Sequence, residues 1–250
     1  MQVSDGGRRV RNGSGRTDAP PRPRRWGGPM ARPRNNELFA RVTHAAFRQF
    51  HERGYVKATY ASIAKEAGCT TTIVQDYYGK KDRLARAFFD ELIEVIRHES
   101  HMWAEEGNGP GVEVGSFAER FRDGCLYYAY LQGHCRQYLL ETTQDVSISN
   151  AVLLDMARWA FTDSQRADVM DDPRSVERII SSLGGFHALL HHQLTHGESF
   201  DVQRHFTDLA LTWLDILGYT RDEILAIVRD GYLGAGEYQE ICGRIARHYR

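Results

Sequence analysis

Apolar residues recur at helical spacing through most of the chain, and period-two alternation is sustained nowhere, so the pattern predicts an all-α fold. Residues 36–51 set Phe39, Val42, Ala46, Phe47 and Phe50 on one face, a core helix. Two short helices follow. Thr59 is placed to cap the first, whose inward face is Ile63, Ala64 and Ala67, and Gly68 follows where a left-handed residue ends a helix. Thr70 is placed to cap the second, with Ile73, Val74 and Tyr77 inward. So short a connection forces the pair to cross steeply, as in a helix-turn-helix. From Asp82 to about Glu105 one long helix is expected, with Leu84, Phe88, Leu92, Val95 and Ile96 inward.

The Gly-rich stretch 105–115 reads as a loop, and Ser116 is placed to cap the next helix. Helical periodicity returns at 137–145 and 150–168. Asp172-Pro173 opens a long helix through Ile179, Leu183, Phe186, Leu190 and Leu194. Ser199 or Asp201 opens another through Phe206, Leu209, Trp213 and Leu217. Gly184-Gly185 would allow close helix contact in the first of these. Thr220 to Glu223 has the form of a capping box and begins a carboxyl-terminal extension ending at Tyr249.

In the second short helix the outward residues are Thr71, Thr72, Gln75 and Asp76, polar side chains able to meet a base edge or a phosphate. Lys80 and Lys81 lie just beyond it. The run from Leu38 to Leu84 resembles the DNA-binding domain of the tetracycline-repressor (TetR) family. The resemblance rests on the apolar first helix, Arg53-Gly54-Tyr55, Thr59, Ile63-Ala64, Ala67-Gly68, Thr70, Tyr77-Tyr78, Lys81-Asp82 and Leu84. It departs from the family at Cys69, Thr72, Gln75 and the acidic Asp76. The resemblance implies a DNA-contacting set of Thr59, Thr70, Thr71, Thr72, Gln75, Asp76, Tyr77, Lys80 and Lys81. It also implies a linking helix after Asp82 that joins the reader to a regulatory domain, and a four-helix dimer interface built from the two long late helices. The expected domains are a basic tail without a fixed fold (1–34), the reader (35–83), a ligand-binding and dimerisation domain (84–220) and the extension (221–250).

Charge adds an asymmetry to this picture. Residues 1–100 hold 19 Lys+Arg against 11 Asp+Glu, and residues 101–250 hold 13 against 22. A basic amino half beside an acidic carboxyl half fits a nucleic-acid reader. Most of the excess belongs to the Arg-rich tail, however, because residues 35–100 alone hold 10 basic and 9 acidic side chains. The tail is therefore a candidate arm along the phosphates. Four cysteines form no CxxC pair, and no run of about 18 apolar residues is present, which predicts reduced thiols in a cytoplasmic protein.

Aromatic residues crowd the middle of the chain. Trp103, Phe117, Phe121, Tyr127, Tyr130 and Trp159 are the candidate lining of an effector pocket, apolar with a few hydroxyls. His187/His191 and His192/His196 are i,i+4 pairs of the kind that can share a metal, the one feature pointing to an alternative, a metal-dependent enzyme. No Glu stands between them in the HExxH manner and no third ligand is evident, so neither metal nor cofactor is expected. No GxSxG or phosphate loop is present, and no catalytic role is assigned. The expectation is a homodimeric repressor that binds an operator in double-stranded DNA and is released by a small apolar or aromatic effector.

Overall fold

A computed structural model describes residues 36–109, 111–145, 155, 157–161 and 167–249. The tail 1–34 and much of the expected 150–168 helix lie outside the described residues. Among those described, every regular element is helical and no strand occurs. The elements are α1 (Asn36–Lys57), α2 (Tyr60–Ala67), α3 (Thr71–Tyr78), α4 (Lys81–Glu105), α5 (Phe117–His134) and α6 (Arg136–Gln144). Residues 157–161 are helical and are called α7. A 3-10 turn at Ala167–Asp171 precedes α8 (Pro173–Thr195), α9 (Val202–Ile216), α10 (Arg221–Asp230) and α11 (Ala235–Arg247).

Local chemistry sets most of these boundaries. The Thr59 hydroxyl accepts from Ser62 N at 3.1 Å, and Ser62 Oγ accepts from Thr59 N at 3.0 Å, a reciprocal cap at the start of α2. Gly68 ends α2 at φ 66° and ψ 41°, where a Cβ is disfavoured. Ser116 accepts from Glu119 N, Asp172 from Ser175 N ahead of Pro173, Asp201 from Arg204 N, and Thr220 from Glu223 N. Of the two residues that could open α9, Asp201 does so. Thr70 has the extended backbone of a cap, but its hydroxyl makes no capping bond.

The first three helices and the start of α4 close a small core in which Phe47, Phe50 and Phe88 meet at ring-centroid distances of 5.1 and 5.6 Å. That core continues without a break into α5 and α6, because Tyr138 of α6 packs tilted against Phe50 at 5.1 Å and edge-on to Phe88 at 4.9 Å. The apolar stripes of α8 and α9 turn inward: Leu183, Leu190, Leu209 and Leu214 are all buried within this one chain. The outward face of α8 carries small or short residues at Ser181, Gly185 and Ala188, with Leu189 partly exposed. Among the described residues nothing approaches Gly184 or Gly185 closely enough to require the absence of a side chain.

The carboxyl-terminal extension is a clasp across α4 and α5. Arg244 of α11 forks onto Glu106 at 2.8 and 2.6 Å, a bidentate pair, and also reaches Glu240. His248 meets Glu99 of α4 at 2.8 Å. Tyr249 is buried among Phe88, Tyr130 and His51, which belong to α4, α5 and α1.

Candidate DNA-reading face and effector pocket

The steep crossing of α2 and α3 exposes one polar surface. Thr59, Thr70, Thr71, Thr72, Gln75, Asp76 and Lys80 are all exposed, and a groove of DNA would meet them together. Val74 and Tyr78 turn inward and anchor α3, with the Tyr78 hydroxyl bonded to Thr43 of α1. Tyr77 is half-buried, its ring edge-on to Phe39 at 5.2 Å, so its ring is part of the anchor. Tyr60 Oη donates to Gly79 O at 2.9 Å and ties the end of α3 to the start of α2.

Lys81 differs from its neighbour. Its ammonium donates to the carbonyls of Tyr55 and Val56 and lies 4.2 Å from the centre of the Tyr55 ring. Burial holds its pKa below the usual lysine value. The residue expected to meet a phosphate therefore braces the turn between α1 and α2. Its role was hidden because the two carbonyls come from residues 25 and 26 positions earlier.

Residues 42–88 match the family described as bacterial regulatory proteins, tetR family. The chain carries a DNA-binding domain of the TetR family. It is accordingly a DNA-binding transcription regulator. Among curated proteins it is similar to the HTH-type transcriptional regulatory protein RaaS of Mycobacterium tuberculosis (strain ATCC 25618 / H37Rv). The two are 27% identical over 174 residues, which cover 68% of this chain and 78% of that protein. No solved structure matches it.

Behind this TetR-type reader, α1 is bent at Gly54, whose φ of 80° and ψ of −178° suit glycine alone. A Cβ there would stand 2.6 Å from Gln137 Cγ and 2.7 Å from Glu141 Oε2. The close approach lets Glu141 of α6 accept from Val56 N at 2.7 Å, while Gln137 Nε2 donates to its other oxygen at 2.6 Å. A helix of the regulatory half thus supplies the acceptor that the bent end of α1 lacks. The sequence marked Gly54, but nothing in it named Glu141 as the partner.

The aromatic candidates divide among four places. Phe117, Phe121 and Trp159 come together with Phe161, Phe206 and Trp213 around a cavity of about 40 Å³ between α5, α7, α9 and α10. Its wall is almost wholly carbon; Arg120 contributes, but its guanidinium is turned to Ala160 O at 2.8 Å. Tyr127 lines a second, smaller cavity of about 10 Å³ between α5, α6 and α8, with Tyr128, Tyr138, Thr142 and His187. Tyr130 faces the clasp, its ring stacked on His134 at 4.9 Å. Trp103 is buried at the end of α4 and lines neither cavity. The expected single pocket is therefore spread over four separate places, because Phe121, Tyr127 and Tyr130 of α5 face different neighbours.

The histidines also divide. His187 is buried and bonded to Tyr128 Oη at 2.5 Å, and burial pushes its pKa down to about 4. His191 Nδ1 lies 3.1 Å from Thr143 Oγ1. His192 and His196 are exposed, their rings 4.3 Å apart. Among the described residues no three metal-ligating side chains converge, so the alternative of a metal-dependent enzyme built on this cluster is not favoured.

A buried ionic group went unnoticed in the sequence. Asp123 of α5 accepts from Ser100 Oγ of α4 at 3.2 Å and from Arg122 Nε at 3.3 Å. Burial raises its pKa to about 6, against the lowering effect of Arg122. Its sequence signal is four charged residues within five positions, Glu119, Arg120, Arg122 and Asp123 about Phe121, on a helix that is buried along most of its length.

Proposed function

We propose that the chain is a homodimeric repressor released from its operator by a small apolar or aromatic effector bound in the cavity of Phe117, Phe121 and Trp159. The observation that carries this reading is the double engagement of the regulatory half with the reader. Helix α6 holds the bend of α1 through Glu141, and its Tyr138 packs on Phe50 of α1 and with Thr142 lines the second cavity. A ligand that prefers one position of α6 therefore shifts the reading heads, and by linkage DNA shifts the affinity for that ligand.

The operator contacts of this reading are Thr59, Thr70, Thr71, Thr72, Gln75, Asp76 and Lys80, with Tyr77 and Lys81 holding them in place. The dimer forms across the outward faces of α8 and α9, where Ser181, Gly185 and Ala188 let two backbones approach. The TetR-type reader supports the pairing, and the inward turn of the apolar stripes moves its contacts to these smaller residues. The reader, regulatory domain and extension keep the boundaries 35–83, 84–220 and 221–250.

Fluorescence anisotropy with DNA from upstream of the gene tests the reading. Compounds that quench tryptophan emission should release the labelled duplex, and Trp159→Phe with Phe121→Ala should abolish both effects together. Release that survives this double substitution would place the effector elsewhere.

A further inference from the structure

The two cavities are separated by a pair of aromatic rings. Phe206 faces the first and Tyr128 the second, with centroids 6.1 Å apart. Phe206 lies directly over Gly124, where a Cβ would stand 2.5 Å from its Cζ. The absence of a side chain at residue 124 gives the ring its place, and the ring's displacement would join the two spaces.

The two spaces differ in chemistry. The first is walled by carbon. The second has Tyr127, Tyr128, Tyr138, Thr142, Thr143 and His187 around it, and among the described residues no Asp, Glu, Lys or Arg lines it. Tyr138 is 1% exposed, yet its hydroxyl has no hydrogen-bond partner among the described residues. A buried hydroxyl left unsatisfied is costly, and a ligand oxygen would satisfy it. His187 is neutral at ordinary pH, since burial pushes its pKa down to about 4. A carboxylate entering here would lose its water and meet no opposite charge.

We propose that the effector site has two compartments joined through the Phe206–Tyr128 ring pair, and that it takes an elongated amphipathic molecule with an apolar body and an uncharged hydroxyl or carbonyl head. The body fills the space beside Phe121 and Trp213. The head meets Tyr138 on α6, one position beyond the Gln137 that supports Glu141 against the reader. Occupation of the second compartment is then the event felt at Gly54. This rests on the ligand-responsive reading above.

Three probes separate the outcomes: 1-butanol, 1-decanol and decanoate, added to the full chain and read by tryptophan emission and by amide exchange in residues 138–143. 1-Butanol should shift the emission of Trp159 and Trp213 by changing the surroundings of their rings and leave that exchange unchanged. 1-Decanol should shift it and slow the exchange, binding at least about tenfold more tightly than decanoate. Tyr138→Phe keeps the ring and removes the hydroxyl; it should weaken 1-decanol about tenfold and leave 1-butanol unaffected. Equal binding of decanol and decanoate, unchanged exchange with decanol bound, or indifference to Tyr138→Phe would each overturn the second compartment while the apolar effector cavity stands. Failure of both alcohols to change the emission would remove the effector cavity, and this proposal with it.

Discussion

Replacing Gly54 by alanine isolates the joint between reader and regulator. Its φ of 80° with extended ψ belongs to a region that only glycine enters without strain, so a side chain there costs ~1–3 kcal/mol. The new Cβ would also stand 2.6 Å from Gln137 Cγ and 2.7 Å from Glu141 Oε2. Both side chains are flexible and can retreat, but the retreat breaks the 2.7 Å bond from Val56 N to Glu141, worth a further ~1–2 kcal/mol at this partly exposed position. The expected loss is therefore about 2–5 kcal/mol, read from urea unfolding followed by circular dichroism. Trypsin should cut after Arg53 or Lys57 about tenfold faster, since the bend is no longer held. In a Glu141→Ala background the same substitution should cost only its backbone strain, a coupling of about 1–2 kcal/mol between the two positions. A single variant within about 0.5 kcal/mol of the parent, cut at the parent rate, would show that α6 does not support the reader.

Acid should expose His187. Its folded pKa of about 4 lies below the unfolded value near 6.5, so the unfolded chain binds the proton first and stability is lost as pH falls from about 6.5 to 4. The loss is on the order of 3 kcal/mol, and Asp123, raised to about 6, acts in the opposite sense over the same interval. His187→Gln should remove the histidine's share alone, and an unchanged pH profile of the melting temperature would contradict this. Asp76→Asn should tighten binding to unrelated DNA and, where Asp76 reads a cytosine, relax preference at one operator position by ~1–3 kcal/mol; unchanged affinity, specificity and salt slope would remove it from recognition. Deleting residues 1–29 removes 7 of the 19 basic residues in the first hundred, and should flatten the dependence of log K on log salt. Light scattering at micromolar concentration should give a dimer, and a monomer would refute the pairing across α8 and α9.

What could be read from the sequence was what short-range physics determines. Thr59, Gly68, Ser116, Asp172 and Thr220 fix helix ends through bonds spanning three or four residues, so their chemistry is visible in a short window. The inward faces of α1, α2 and α4 followed from periodicity alone. Roles that depend on distant partners did not. Lys81 looked like a phosphate contact until its ammonium was found on the carbonyls of Tyr55 and Val56. Trp103 and Tyr130 looked like pocket residues because composition cannot say which of several aromatic groups a side chain joins. Phe206 and Trp213 went to an expected dimer seam, because an apolar stripe looks the same whether it faces its own chain or a second one. The histidine pairs met the spacing for a shared metal, but burial and hydrogen bonding separate His187 from His192 and His196.

The size of the apolar cavity also governs how quickly such a regulator could respond. At about 40 Å³ it is smaller than the ~150 Å³ space that admits a benzene molecule in an engineered protein cavity. A ligand of the proposed kind finds too little space there and fits only where the aromatic rings part. Its apparent affinity is then its intrinsic affinity reduced by the fraction of time the site stands open. Arrival is paced by that opening, on the microsecond-to-millisecond scale of collective motions, rather than by diffusion. Sensitivity could accordingly be raised without touching a single ligand contact, by thinning the packing around Phe206 so that the open form is less rare.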